Sequence, residues 1–166
     1  MFKKIVLFAL LSLPVSLFAQ DKIAHFSSAE VITAMPEYTQ MQDSIQKLQG
    51  EFQKEMQRLQ EEYSEKYEAF LAEGESLSEA IRIRRMQEIQ DIGQRAENFN
   101  EDSQRELQQV YEGLLQPIQR KVKEALDKVG AENNFTYILE GGAALVFVGA
   151  NATDATPLVK RKLGLQ

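Results

Sequence analysis

The sequence predicts an α+β protein that is mostly helical, with a long antiparallel helical hairpin inserted into a small β-containing body. Three observations carry this. Two apolar stripes run through residues 38–114 at helical spacing. Their members pair with a constant register. The period then changes from helical to β after Asn133-Asn134.

On the first arm the stripe is Tyr38, Met41, Ile45, Leu48, Phe52, Met56, Leu59, Tyr63, Tyr67 and Phe70. On the second it is Ile81, Ile89, Ile92, Ala96, Phe99, Leu107, Val110 and Leu114. Paired antiparallel, the residue numbers sum to 151 or 152: Phe70 with Ile81, Tyr63 with Ile89, Phe52 with Phe99, Met41 with Val110. A constant sum means one fold-back, centred near Ser76.

The first twenty residues read as an export signal. Lys3 and Lys4 precede an apolar stretch from Ile5 to Phe18, and Ala19 suits cleavage. That stretch is short for a bilayer span. The chain has no cysteine, so neither a lipid-modified cysteine nor a disulfide is expected. Loss of the signal takes Lys3 and Lys4 with it and moves the formal charge from −6 to −8. So acidic a chain is a poor nucleic-acid binder, because phosphate neutralisation needs clustered Lys and Arg. It argues equally against a broad contact with anionic membrane.

Lys22 to Phe26 reads as a short strand. Ser27-Ser28-Ala29-Glu30 is a capping box for a short helix, with Phe26 and Val31 as its hydrophobic staple. Pro36 ends that helix and opens a long one to about Ala72. Its stripe repeats every eleven residues, as in Met41, Phe52, Tyr63, which gives a nearly straight helix. Gly74 can terminate it. Ser76-Leu77-Ser78-Glu79 is a second capping box, starting a helix expected to reach about Glu132. Pro117 interrupts that helix: it removes the bond to the Gly113 carbonyl, should kink the helix, and marks a shoulder between arm and body.

Residues 135–140 and 144–148 read as strands joined at Gly141-Gly142-Ala143 in a hairpin. Thr156 and Pro157 start a last short helix, as N-cap and first residue, with Lys160, Arg161 and Lys162 in its final turn. The expected division is a signal at 1–20, a body at 21–36 with 117–166, and an arm at 37–116 with its tip near 73–78. A body of about 66 residues is marginal alone, and its strands leave open edges. Oligomerisation through the strands answers both problems. Ile23, Phe26, Ile138, Leu145 and Phe147 are the expected core and inter-chain contacts.

Taken in order, these pieces resemble the Skp/OmpH family of periplasmic chaperones of Gram-negative bacteria. The matching stretches are Lys22-Ile23-Ala24 before a short helix, Met35-Pro36-Glu37-Tyr38 into the first arm, and Ser78-Glu79-Ala80-Ile81-Arg82 into the second. Tyr137-Ile138-Leu139-Glu140 before the Gly-Gly turn and Asp154-Ala155-Thr156 before the last helix complete the set. The resemblance implies a homotrimer with three arms around a cavity, holding unfolded outer-membrane proteins after export without nucleotide or other cofactor. One departure concerns charge: residues 51–110 carry 15 Asp and Glu against 8 Lys and Arg, whereas the well-known enterobacterial members are basic.

No catalytic pattern competes. His25 is the single histidine and has no partners for a triad or metal site. The arm glutamates lack a pocket to shift their pKa values. Gly141-Gly142 lacks the helix start and Lys of a phosphate loop. Two Asn-X-Thr sequons, at Asn134 and Asn151, carry no expected role. The cluster Arg82-Ile83-Arg84-Arg85 either faces a client or membrane, or pairs with Glu75, Glu79 and Glu88 as a solvated face. Leu71, Leu77, Ile83 and Met86 have few places to hide near the tip and are the candidate client contacts. The competing reading is an envelope coiled-coil scaffold that binds one folded partner.

Overall fold

The computed structural model describes residues 21–74, 76–142 and 145–165. The expected signal segment lies outside them. The element order is β1 (Ile23–Phe26), α1 (Ser28–Thr33), α2 (Pro36–Glu73), α3 (Glu79–Asn133), β2 (Tyr137–Glu140), β3 (Thr153–Asp154) and α4 (Thr156–Lys162). The chain clusters into two compact units, dividing at Val31/Ile32 and at Arg120/Lys121.

The body unit holds a three-stranded sheet in the order β2-β1-β3, and both pairings are parallel. Ile23 lies opposite Tyr137 and Phe26 opposite Glu140, while Ala24 and His25 face Thr153 and Asp154. This replaces the expected hairpin. Residues 145–148 are not a strand but part of the crossover from β2 to β3. The Gly141 amide donates to the Phe26 carbonyl, and the Ser28 amide and hydroxyl both hold Glu140 Oε1, at 3.0 and 2.8 Å. Gly142 then turns with φ +146, a backbone setting open mainly to glycine. The chain so redirected carries an apolar run with no ladder partner: Val146 is 100% exposed.

Alternation along β1 sorts the side chains by face. Ala24 and Phe26 are buried with Val31, Val122, Ala125, Val129, Ala155 and Val159, and these form the body core. Val31 and Val159 are wholly inaccessible, so each contributes roughly 1.5–3 kcal/mol relative to exposure.

Capping differs from expectation at three places. Ser27 Oγ does accept the Glu30 amide at 3.2 Å, but the Ser27 amide donates to Thr156 Oγ1 at 3.0 Å, and Glu30 Oε2 pairs with Lys160 at 2.9 Å. Thr156 is therefore the first residue of α4, not its N-cap, and Asp154 Oδ1 accepts the Thr156 amide at 2.8 Å. At the tip, Ser76 donates its hydroxyl back to the Glu73 carbonyl at 2.8 Å. Glu79 grips Arg82, and α3 starts at Glu79. Gly74 caps α2 in ordinary right-handed geometry (φ −54), so no left-handed cap forms.

The second unit contains α2 and most of α3. Met41, Leu59, Ile89 and Ile92 are buried. α3 runs unbroken through Pro117, which is half-buried. The rest of the stripe is not enclosed: Tyr63, Tyr67 and Ile81 are 40–47% exposed. Two helices cover only a narrow seam, and a stripe of this width needs a third layer to disappear.

Candidate functional site

Two kinds of surface stand out. The first is apolar and faces water. Near the tip, Leu71 is 63% exposed, Ile83 59% and Met86 44%, while Leu77 is half-buried. Tyr63 and Tyr67 continue this surface, stacked with ring centres 6.0 Å apart and planes at 10°. The stripe had assigned both tyrosines to the interior. Their large, amphipathic rings at i and i+4 were the available signal that they can serve a surface.

The body carries its own apolar face. Ile23 is 49% exposed, Tyr137 57%, Leu139 44% and Phe147 85%. Parity explains it: Ile23 and Tyr137 are a cross-strand pair, as are His25 and Leu139, and both pairs point away from the core. Ile23 and Phe147 thus lie outside the core of the single chain, Phe26 lies in it, and Ile138 and Leu145 are half-buried. A hollow of about 160 Å³ between Ile23, Leu139, Leu145 and Phe147 marks where this face is concave. His25 Nδ1 lies 4.0 Å from Asp154 Oδ1 at its edge. Burial raises the Asp154 carboxyl, but the Thr156 hydroxyl and amide, with His25 and Lys160, outweigh that and hold it below the usual aspartate value.

Charge is arranged around these patches as ion pairs. Glu62 meets Arg95 at 3.0 Å, Lys66 meets Glu88 at 3.8 Å, and Glu73 meets Arg85 at 3.9 Å, each linking α2 to α3. Arg82 pairs with Glu79 at 2.9 Å. The Arg82–Arg85 cluster is thereby largely engaged within the arm. The Glu62 carboxyl sits below its ordinary value, first through the Arg95 hydrogen bond and then through Arg58.

The second kind of surface is a groove of about 550 Å³ midway along the arm. Phe52, Met56, Phe99 and Leu107 give it an apolar base, and Gln49, Gln53, Gln57, Gln60, Asn100 and Gln104 surround it with carboxamides. Ser103 completes the lining. Among the described residues no group of three or more His, Cys, Asp or Glu could hold a metal ion. No helix among them is long and apolar enough to cross a membrane.

Comparison with known proteins now bears on these surfaces. The curated proteins contain no match to this chain. Among solved structures, the chain is similar to an OmpH-like protein from Caulobacter crescentus whose proposed role is that of an outer membrane chaperone. The TM-score is 0.76 at 13% identity, covering 87% of this chain and 85% of that one. At that identity the likeness shows a shared fold. Among protein families, "Outer membrane protein (OmpH-like)" matches residues 22–163. That span takes in every strand and helix described above, and the chain belongs to the OmpH-like outer membrane protein family.

Proposed function

We propose that the protein is a periplasmic holdase chaperone, which binds unfolded outer-membrane proteins after export and keeps them from aggregating, without ATP. Membership of the OmpH-like family supports a chaperone role. The observation that carries the reading is the exposure of Tyr63, Tyr67, Leu71, Ile83 and Met86 toward the tip of the arm. Unfolded outer-membrane strands alternate apolar and polar residues and aggregate through their edges. Dispersed apolar contacts of this kind are individually weak and act together once a client is enclosed.

The working form in this proposal is a homotrimer. The body, 21–36 with 117–166, trimerises through the face of Ile23, Tyr137, Leu139 and Phe147 and the open edges of β2 and β3. Residues 37–116 are the arm. The exposure of that face in the single chain supports this, since contiguous apolar patches seldom stay in water.

The test is dilution of a urea-unfolded outer-membrane β-barrel protein into the mature chain, followed by size-exclusion chromatography with light scattering. One client with three chains in a soluble complex is the expected result. A trimer that elutes alone while the client precipitates would shift the reading to a scaffold for a folded partner. A monomer would overturn the trimer.

A further inference from the structure

Ser103 stands where the arm's seam calls for an apolar residue. The stripe on α3 advances by three or four residues through Ile92, Ala96 and Phe99 and resumes at Leu107. Position 103 falls between, and register sets it opposite Leu48 and Gln49. The side chain is 8% exposed, and Ser103 Oγ has no hydrogen-bond partner among the described residues. It does not turn back to the carbonyl one turn earlier, as Ser44 does to Gln40 at 2.8 Å. A buried hydroxyl without a partner is unfavourable in the free protein.

The groove beside it is chemically uniform. None of its lining residues among those described is charged, on an arm whose residues 51–110 carry 23 charged side chains. Carboxamides supply both donors and acceptors, the same complement that a peptide bond presents. Gln57 Nε2 donates to Glu61 at 2.8 Å and Gln104 Nε2 to Asn100 Oδ1 at 3.3 Å, which leaves both glutamine carbonyls as acceptors. An ionic ligand finds no counter-charge here. A wholly apolar one would strip water from the amides without replacing their hydrogen bonds.

We propose that this groove binds the main chain of an extended, non-native polypeptide segment, with the small Ser103 at its floor leaving the room that the segment occupies. The inference deepens the chaperone reading and rests on it. Recognition through peptide groups is independent of side-chain sequence, so one site serves many clients. It is also independent of client charge, which an acidic arm needs.

The experiment uses the full mature chain and a urea-unfolded eight-stranded outer-membrane β-barrel protein. Benzoylphenylalanine replaces Gln53 or Gln104 in the groove, and exposed Glu101 as control. Crosslinking at 53 and 104 at least several-fold above 101 is expected. Ser103→Leu, which fills the floor of the groove with an apolar side chain, should weaken client retention several-fold while thermal stability holds or rises. A strand-forming octapeptide should compete with the client, and the same peptide N-methylated at alternate amides should not. Wild-type protein that holds the client, combined with absent groove crosslinks or with Ser103→Leu retention unchanged, would overturn the groove alone. Wild-type protein that never holds the client would overturn the chaperone reading beneath it.

Discussion

The ring of Phe52 on α2 meets the ring of Phe99 on α3 edge to face, with centres 5.8 Å apart and planes at 90°. This is one of the pairs whose numbers sum to 151. Edge-to-face rings are coupled beyond the area they bury. A double-mutant cycle of Phe52→Leu and Phe99→Leu should give a coupling of about 0.5–1.5 kcal/mol by urea denaturation. Additive effects would mean that the two rings stabilise the arm separately.

Gly141 is needed for close approach. A Cβ there would sit 2.9 Å from the Phe26 carbonyl oxygen, which already accepts the Gly141 amide. Gly141→Ala should destabilise the body by about 1–3 kcal/mol, since backbone cannot move aside cheaply. Gly50→Ala has open space around its added methyl. Its gain in helix propensity is about 1 kcal/mol, so the two variants should move the melting curve in opposite directions.

Asp154 links β3 to α4 by accepting the Thr156 amide. Its carboxyl is held below the ordinary aspartate value, so the ionised form is the one that favours the fold. That contribution is complete above the unfolded pKa near 4 and fades as pH falls through the lower folded value. Asp154→Ala should cost about 1 kcal/mol at neutral pH, the usual effect of losing a cap. The gap between variant and wild type in thermal melts should close below about pH 4. A gap that persists in acid would assign the effect to packing.

Leu71, Ile83 and Met86 are exposed at 44–63%. Their joint replacement by Ser should leave the melting temperature nearly unchanged, because surface changes usually stay within about 0.5 kcal/mol. Client retention measured by light scattering should fall several-fold. Normal retention would remove the tip from the binding surface.

Phe147 is 85% exposed in the single chain. Phe147→Asp should dissociate the proposed trimer without unfolding the body, seen as a loss of mass in light scattering with unchanged helical circular dichroism. A trimer that survives would move the interface elsewhere.

The arm was legible in the sequence because its signal is local and repeated. Each apolar residue recurs over many turns, so helix limits at Pro36 and near Asn133 could be read to within a residue or two. The body was not legible in the same way. β3 is two residues, too short to show any period. Residues 145–148 show a strong β pattern and pair with no strand among the described residues, because alternation reports a half-buried surface and says nothing about a partner. The reciprocal half of the first capping box failed for a related reason. Ser27, Glu30 and Thr156 are satisfied by residues about 130 positions away, which no local window contains. The groove left a faint trace, the gap between Phe99 and Leu107 in the stripe. Read as a missing contact, it looks like noise, and only burial of the Ser103 hydroxyl gives it meaning.

The parallel sheet also sets a clock. β1 is the central strand, yet both neighbours lie more than 110 residues later in the chain. β1 finds no strand to pair with until a loop of more than 110 residues closes, a slow, non-local contact. Until then its apolar residues have no sheet to join, while the arm between can already fold on local contacts. Folding of the arm shortens the loop that β1 and β2 must close and lowers the entropy of that closure. The body is therefore a late event, and a slow or truncated chain would display a finished arm on an unfinished base.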